Sequence, residues 1–256
     1  MNPIAVITGG GRGLGRGVAA AMADAGFDLV LGYASHEEDA LDAASAVEAR
    51  GRRAMVVGGD ISDPATADAL VEAAGQLGGL DAWINNAGVS VLAPVIDTAP
   101  ADLARMIEVN LIGTFLGLRA AAHQMKAAAT PGRIVNVASD LGVQGCRNLG
   151  GYAATKFAVV GLTQAAAIEL APDGITVNAV CPGTAETDMV LAERASEVKL
   201  TGLTADTVRR SYLEAIPAGR FCTPDDVGGL VAWLCGRAAS YVTGQAICVN
   251  GGSILH

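Results

Sequence analysis

Aromatic side chains and lysines are scarce in this sequence: aromatics make up 4% of 256 residues, and the three lysines are Lys126, Lys156 and Lys199. With 51% hydrophobic content, the apolar residues are therefore mostly Ala, Val, Leu and Ile, and small side chains imply closely packed helices. The five cysteines (Cys146, Cys181, Cys222, Cys235, Cys248) form no C-x-x-C pair, and His36, His123 and His256 lie far apart. That excludes a metal-ligand motif and points to free thiols in a reducing compartment. No run of Lys and Arg occurs and the formal net charge is −9, which disfavours nucleic acid and anionic membranes as partners. No stretch of ~20 uninterrupted apolar residues is present, and Met1 to Thr8 runs straight into a strand pattern with no signal-peptide features. The expectation is a cytoplasmic protein. No long Pro- or Ser-rich linker divides the chain, so residues 1–256 are expected to form a single domain.

What the chain does contain is a regular alternation. Short apolar runs at Ile4 to Thr8, Asp28 to Tyr33, Arg53 to Val57, Asp81 to Asn85, Arg133 to Ala138, Thr176 to Cys181 and Ala246 to Val249 read as strands. Ala-rich helical stretches lie between them, including Ala101 to Ala129 and Tyr152 to Ala171. This alternation predicts an α/β fold with a doubly wound, seven-stranded parallel sheet carrying helices on both faces. Such folds bind ligands at the carboxyl ends of their strands. Residues 187–217 break the rhythm just after a strand end, and a substrate-covering loop or helical hairpin would account for them.

Thr8-Gly9-Gly10-Gly11-Arg12-Gly13-Leu14-Gly15 follows the first strand and opens the first helix. Glycines at 9, 13 and 15 permit a sharp turn and close approach of backbone to a pyrophosphate at a helix N-terminus. The second strand ends Gly32-Tyr33-Ala34-Ser35-His36, with no acid before Glu37. A carboxylate there would select NAD by binding the ribose 2′-hydroxyl. Its absence, with Arg12 and Ser35 available to a 2′-phosphate, favours NADP(H), NAD(H) remaining possible. Asp60-Ile61 ends the third strand, where the acid is placed to accept from an adenine amino group. Asn85-Asn86-Ala87-Gly88 ends the fourth, where Asn86 can tie neighbouring strand ends while Ala87 and Gly88 let a cofactor approach.

Tyr152 and Lys156 stand four apart, one turn of helix and one face. A cation beside a phenol favours the phenolate, which makes the phenol a usable acid. A lone pair at this spacing arises readily by chance, but Ser139 lies thirteen residues before Tyr152 at the end of an apolar run.

Taken together, Thr8 to Gly15, Asn85-Asn86-Ala87-Gly88, Asn110, Ser139, Tyr152-x-x-x-Lys156 and Pro182-Gly183 occur in an order and at intervals that resemble the short-chain dehydrogenase/reductase family over essentially the whole chain. The resemblance implies a catalytic tetrad. Tyr152 would exchange a proton with the substrate oxygen as a hydride moves to or from nicotinamide. Lys156 would hold the nicotinamide ribose and depress the Tyr152 pKa, Ser139 would orient the substrate oxygen, and Asn110 would bind a relay water. Pro182, Gly183, Ala185 and Thr187 match the family's carboxamide-binding segment, with Ala185 where a branched residue is usual. The family also implies a homotetramer.

For the substrate, the Ser139-to-Tyr152 loop offers Leu141, Gln144 and Arg147 as pocket residues, and Arg147 is a candidate clamp for a carboxylate or phosphate. The expected substrate is a sugar, a polyol, a keto acid or ester, or another small carbonyl compound. A 3-oxoacyl-acyl-carrier-protein reductase is the alternative, weakened by Thr130-Pro131 and Pro172-Asp173, where such enzymes present basic residues to an acidic carrier. A non-catalytic nicotinamide-binding sensor is the remote alternative, against which the intact tetrad speaks.

Overall fold

In a computed structural model describing residues 2–255, the sequence forms one sheet flanked by helices; His256 lies outside the described residues. Among those residues seven strands are formed: β1 (Ile4–Ile7), β2 (Asp28–Tyr33), β3 (Ala54–Gly58), β4 (Ala82–Asn85), β5 (Arg133–Val137), β6 (Thr176–Pro182) and β7 (Ala246–Val249). Each end lies within one residue of the sequence expectation. All pairings are parallel, in the order β3-β2-β1-β4-β5-β6-β7. The order reverses between β1 and β4, and the splayed connections there open a crevice at the strands' carboxyl ends.

The helices are α1 (Gly13–Asp24), α2 (Glu37–Glu48), α3 (Pro64–Leu77), α4 (Pro100–Met106), α5 (Thr114–Ala127), α6 (Gly150–Leu170), α7 (Asp188–Thr201), α8 (Ala205–Glu214) and α9 (Pro224–Cys235). Local chemistry sets several starts. Asp63 accepts from Ala65 N ahead of Pro64, and Thr223 and Asp226 form a reciprocal capping box ahead of Pro224, each satisfying N–H groups that a helix start leaves free. One sheet face packs on α3, α5 and α6 around Trp83, Leu70, Met125 and Leu170. The other packs on α1, α2 and α9 around Met22, Leu31, Ile84 and Val231.

One expectation needs correction, and another is narrowed to one of its two alternatives. The helix anticipated over Ala101 to Ala129 is interrupted by a π-helical segment, Ile107–Gly113, whose wider turn shifts the register of Asn110; hydrophobic periodicity does not report such a local bulge. Residues 187–217 are chiefly the helices α7 and α8, joined by left-handed Gly202 at φ 71°.

Helices α1 and α9 approach each other closely at glycines. A Cβ at Gly17 would lie 2.2 Å from Pro224 Cβ, and one at Gly228 would lie 2.7 Å from the Gly17 carbonyl oxygen. Gly17→Ala is therefore expected to cost about 1–3 kcal/mol by overpacking, seen as a Tm several degrees lower in thermal unfolding; an unchanged Tm would contradict this packing.

Candidate active site

Thr8 fastens the glycine loop to the end of β4. Its Oγ1 accepts from Asn86 N and Ala87 N, both at 3.0 Å, and Asn86 Nδ2 donates to the Thr8 and Gly9 carbonyls, again at 3.0 Å. The loop itself needs glycine: Gly9 and Gly13 have φ of 64° and 53°, and a Cβ at Gly15 would fall 2.1 Å from the Gly9 oxygen. Beyond it α1 begins with no side-chain cap and no acid in its first turn, so its free N–H groups and positive end face the crevice. That is an anion cradle.

The crevice holds a cavity of about 380 Å³, lined among others by Gly9, Gly13, Tyr33, Ala87, Tyr152 and Lys156. Arg12, Leu14, Gly15, Ser35, His36, Asp60, Ile61, Asn86, Gly88 and Thr187 also border it. Pro182, Gly183 and Ala185 do not. Gly183 packs on Asn250, and buried Ala185 is bridged to Cys222. These dimensions and the uncapped helix fit a dinucleotide cofactor.

At the rim, Arg12 Nη1 lies 3.2 Å from His36 Nε2, and His36 Nδ1 lies 2.8 Å from Ser35 Oγ. Arg12 can only donate, so His36 Nε2 accepts and its proton sits on Nδ1, facing Ser35. The Ser35 hydroxyl proton and the other guanidinium protons stay available. Arg12 also approaches Asp188 at 3.5 Å, with both side chains at least half exposed, a contact of little strength in water. At the opposite end Asp60 is already engaged, accepting from Ser62 N at 2.9 Å and Ser62 Oγ at 2.7 Å and pairing with Arg105 at 2.5 Å. Its expected adenine contact must share these oxygens. Arg105, which also lines the cavity, carried no motif and escaped the sequence reading.

The catalytic candidates converge at the inner end. Lys156 is buried, and its Nζ donates to the Val137 carbonyl at 2.9 Å and stands 5.6 Å from the Tyr152 ring centroid. Burial lowers its pKa to about 8. Asn110 Oδ1 accepts from Val89 N at 2.8 Å, while Nδ2 donates to the Val89 carbonyl at 2.9 Å and Thr155 Oγ1 at 3.0 Å. Both amide protons are thus spent on structure. Gly88 passes between Asn110 and Lys156 where a Cβ would meet both. Ser139 Oγ accepts from Leu141 N at 3.1 Å and donates to Asp140 Oδ1 at 3.3 Å, and Ser253 Oγ donates to Asp140 Oδ2 at 3.2 Å.

Several groups act on the Tyr152 phenol. Burial raises its pKa, the Glu193 carboxylate raises it further, and the nearby Ser139 hydroxyl opposes them. The ammonium lies over the ring face and does not outweigh burial. Glu193 on α7 had no motif to announce it. In the loop before α6, Leu141 is half-buried beside Ser139, but Gln144 and Arg147 are exposed and do not border the cavity.

Comparison with known proteins adds to this geometry. The family model described as enoyl-(acyl carrier protein) reductase matches residues 9–253. The chain is 40% identical to L-2,3-butanediol dehydrogenase of Corynebacterium glutamicum over 100% of both chains. It is 36% identical to diacetyl reductase [(S)-acetoin forming] of Staphylococcus epidermidis over 99% of both. The crystal structure of levodione reductase superposes with a TM-score of 0.90 at 32% identity, covering 98% of this chain and 96% of that one.

The buried ammonium makes a thermodynamic prediction. Between about 8, where folded Lys156 loses its proton, and its ordinary 10.5, the unfolded chain binds more protons than the folded one, so this group makes stability rise with pH. The stability of Lys156→Met relative to wild type should therefore fall across that window, by on the order of 3 kcal/mol. Calorimetry at pH 7 and pH 10 checks it, and a pH-independent difference would refute it.

Proposed function

Since the chain belongs to the short-chain dehydrogenase/reductase family, we propose that it is an NADP(H)-dependent oxidoreductase interconverting a small ketone and its secondary alcohol, with a second oxygen on the neighbouring carbon. The observation that carries the reaction class is that half-buried Tyr152 and buried Lys156 both line the crevice, with the buried Ser139 hydroxyl close to the Tyr152 phenol. The nicotinamide cofactor, when bound, supplies or accepts the hydride. Glycines 9, 13 and 15 and the start of α1 hold its pyrophosphate, and Lys156 its nicotinamide-side ribose. Ser139 turns its hydroxyl to the substrate oxygen and shares the charge that gathers there.

Tyr152 passes its phenol proton to that oxygen during reduction and recovers it during oxidation. Lys156 stabilises the phenolate left behind and resupplies the proton. Asn110 serves the relay by position. Its amide is spent on Val89 and Thr155, so a relay water would meet its backbone carbonyl, which already accepts from Thr114 Oγ1 at 2.7 Å.

Support for NADP(H) comes from the Arg12, Ser35 and His36 cluster at a strand end without a carboxylate. Support for a small, doubly oxygenated substrate comes from the names of the similar proteins, which specify butanediol, diacetyl and acetoin. Buried Asp140 and Glu193 near Tyr152 oppose an anionic substrate such as a keto acid. The edge where carrier-protein reductases present cations carries Lys126 paired with Asp173 at 2.5 Å, which leaves little attraction for an acidic carrier.

Initial rates with NADPH and NADH over vicinal diketones, ketols and simple ketones test this reading. We expect kcat/KM to favour NADPH, and Arg12→Ala to lower the NADPH-to-NADH ratio about tenfold or more, the scale of one lost charge-assisted phosphate contact. A strong wild-type preference for NADH would overturn the cofactor assignment. Tyr152→Phe is expected to lower kcat about 10²–10⁴-fold; unchanged turnover in that variant would sink the mechanism.

A further inference from the structure

Asp140 is a buried carboxyl group without a cation. It follows Ser139 in the turn after β5, it is 9% exposed, and no ion pair among the described residues includes it. Hydrogen-bond donors take the cation's place. Ser139 Oγ lies 3.3 Å from Oδ1, Ser253 Oγ lies 3.2 Å from Oδ2, and the Leu141 N–H and the Asn250 side chain add to them. The titratable groups within its electrostatic reach are Cys146 in the loop before α6, Tyr152 on α6, Cys181 on β6, Cys248 on β7, and Cys222, which is bridged to Ala185. Burial favours the neutral form of each. Of the charged groups around these, Lys156 gives its ammonium to the Val137 carbonyl, Arg220 is paired with Asp226 beside Cys222, and Glu193 adds a second negative charge around Tyr152.

A carboxylate in such surroundings is unfavourable, because it has left water without meeting an opposite charge. Burial accordingly pushes the Asp140 carboxyl above the usual carboxylate range, and the donors around it oppose that only in part. The 3.3 Å contact with Ser139 can be made with the proton on either oxygen, and the two arrangements leave Ser139 in different states. With Asp140 ionised, the Ser139 proton points to Oδ1 and one Ser139 lone pair accepts from Leu141 N at 3.1 Å. Ser139 then has only a lone pair to offer a carbonyl oxygen, which is itself an acceptor. With Asp140 neutral, the carboxyl proton occupies that second lone pair and the Ser139 proton is free. A hydroxyl that accepts two hydrogen bonds is also polarised toward donating a third.

We propose that Asp140 is a positioning residue for Ser139: as a neutral acid it donates to Ser139 Oγ and frees the Ser139 proton for the substrate oxygen, and as a carboxylate it holds that proton back. The proposal rests on the role of Ser139 given above and places its control one residue further from the substrate. It uses a carboxylic acid as a donor, which an enclosed, cation-free setting permits. The neutral form also removes a negative charge from beside Ser139 at the moment when charge gathers on the substrate oxygen. Ser253 acts in the opposite sense, since its hydroxyl donates to Oδ2 and so favours the carboxylate. The turn after β7 thereby takes part in setting how Ser139 points.

The test follows reduction of butane-2,3-dione by NADPH across pH in the full-length wild type, Asp140→Asn and Ser253→Ala. The working form is the protonated one, so wild-type kcat/KM should be full at low pH and fall as pH rises through the Asp140 pKa. Asp140→Asn keeps a donor to Ser139 at every pH. It should retain turnover of the wild-type order at the optimum, while its alkaline fall moves up by about one pH unit or more. Ser253→Ala removes one hydrogen bond to the charged form and should move the fall up by about one unit. Infrared spectra of the cofactor-free protein give a readout independent of turnover: a carboxylic-acid C=O stretch that Asp140→Asn lacks should persist in wild type well above the ordinary aspartate range. A folded Asp140→Asn without turnover at any pH would show that the carboxylate itself is needed, and overturns the proposal. So does an alkaline fall unmoved in both variants, or a wild type whose acid band is lost in the ordinary range. If Asp140→Asn does not fold, the Ser253→Ala profile decides. A wild type that reduces no ketone, or Tyr152→Phe with unchanged turnover, overturns the reading of the site instead, so the two failures are distinguishable.

Discussion

The side-chain amide of Asn110 is the joint on which this site depends. It grips Val89 through both N–H and C=O, as a strand neighbour would, and its remaining proton goes to Thr155 on the helix that carries Tyr152 and Lys156. The end of β4, the α4-to-α5 region and α6 are thereby fixed to one another at a single buried residue. The π-helical turn makes this possible, since it carries Asn110 where an uninterrupted helix would not. Thr8 and Asn86 perform the equivalent task on the cofactor side of the same strand. Beneath both, a chain of buried hydrogen bonds runs from Trp83 through Asn85 and Asn136 to Thr163, tying β4 to β5 and β5 to α6 without an unsatisfied partner.

Much of this was legible in the residues, because the features that carry it are local. Strand-length apolar runs ending in Gly, Asn or Ser mark both the sheet and its ligand-binding edge, and Tyr152-x-x-x-Lys156 declares a shared helix face by spacing alone. What was not legible depended on tertiary placement. Arg105 reaches Asp60 across 45 residues, and no pattern links them. Arg147 sits in a loop adjoining the site yet faces solvent, since sequence proximity to Ser139 does not determine where a loop side chain points. Spacing places the Lys156 cation near Tyr152 but reports neither how deeply the phenol is set nor the Glu193 carboxylate, both of which push its pKa up.

The covering segment shows the same division. Its length and mixed charge identify it as exceptional, whereas the inward turn of Glu193 and Arg194 emerges only when α7 is laid against the site. Ion pairs from Glu186 to Arg194 and Arg209 hold that segment, while the apolar packing of the fold lies elsewhere, in the glycine seam of α1 and α9 and the two apolar faces of the sheet.

The burial of Lys156 has a practical corollary for chemical labelling. Of the three lysine side chains, Lys126 and Lys199 are exposed and Lys156 is enclosed, and a buried amine with an ordinary backbone acceptor is shielded from bulky acylating reagents however reactive its free base. Amine-directed coupling would therefore spare Lys156. Because Lys199 belongs to α7, a fluorophore attached there would ride on the helix that carries Glu193, giving an optical view of that helix as substrate arrives.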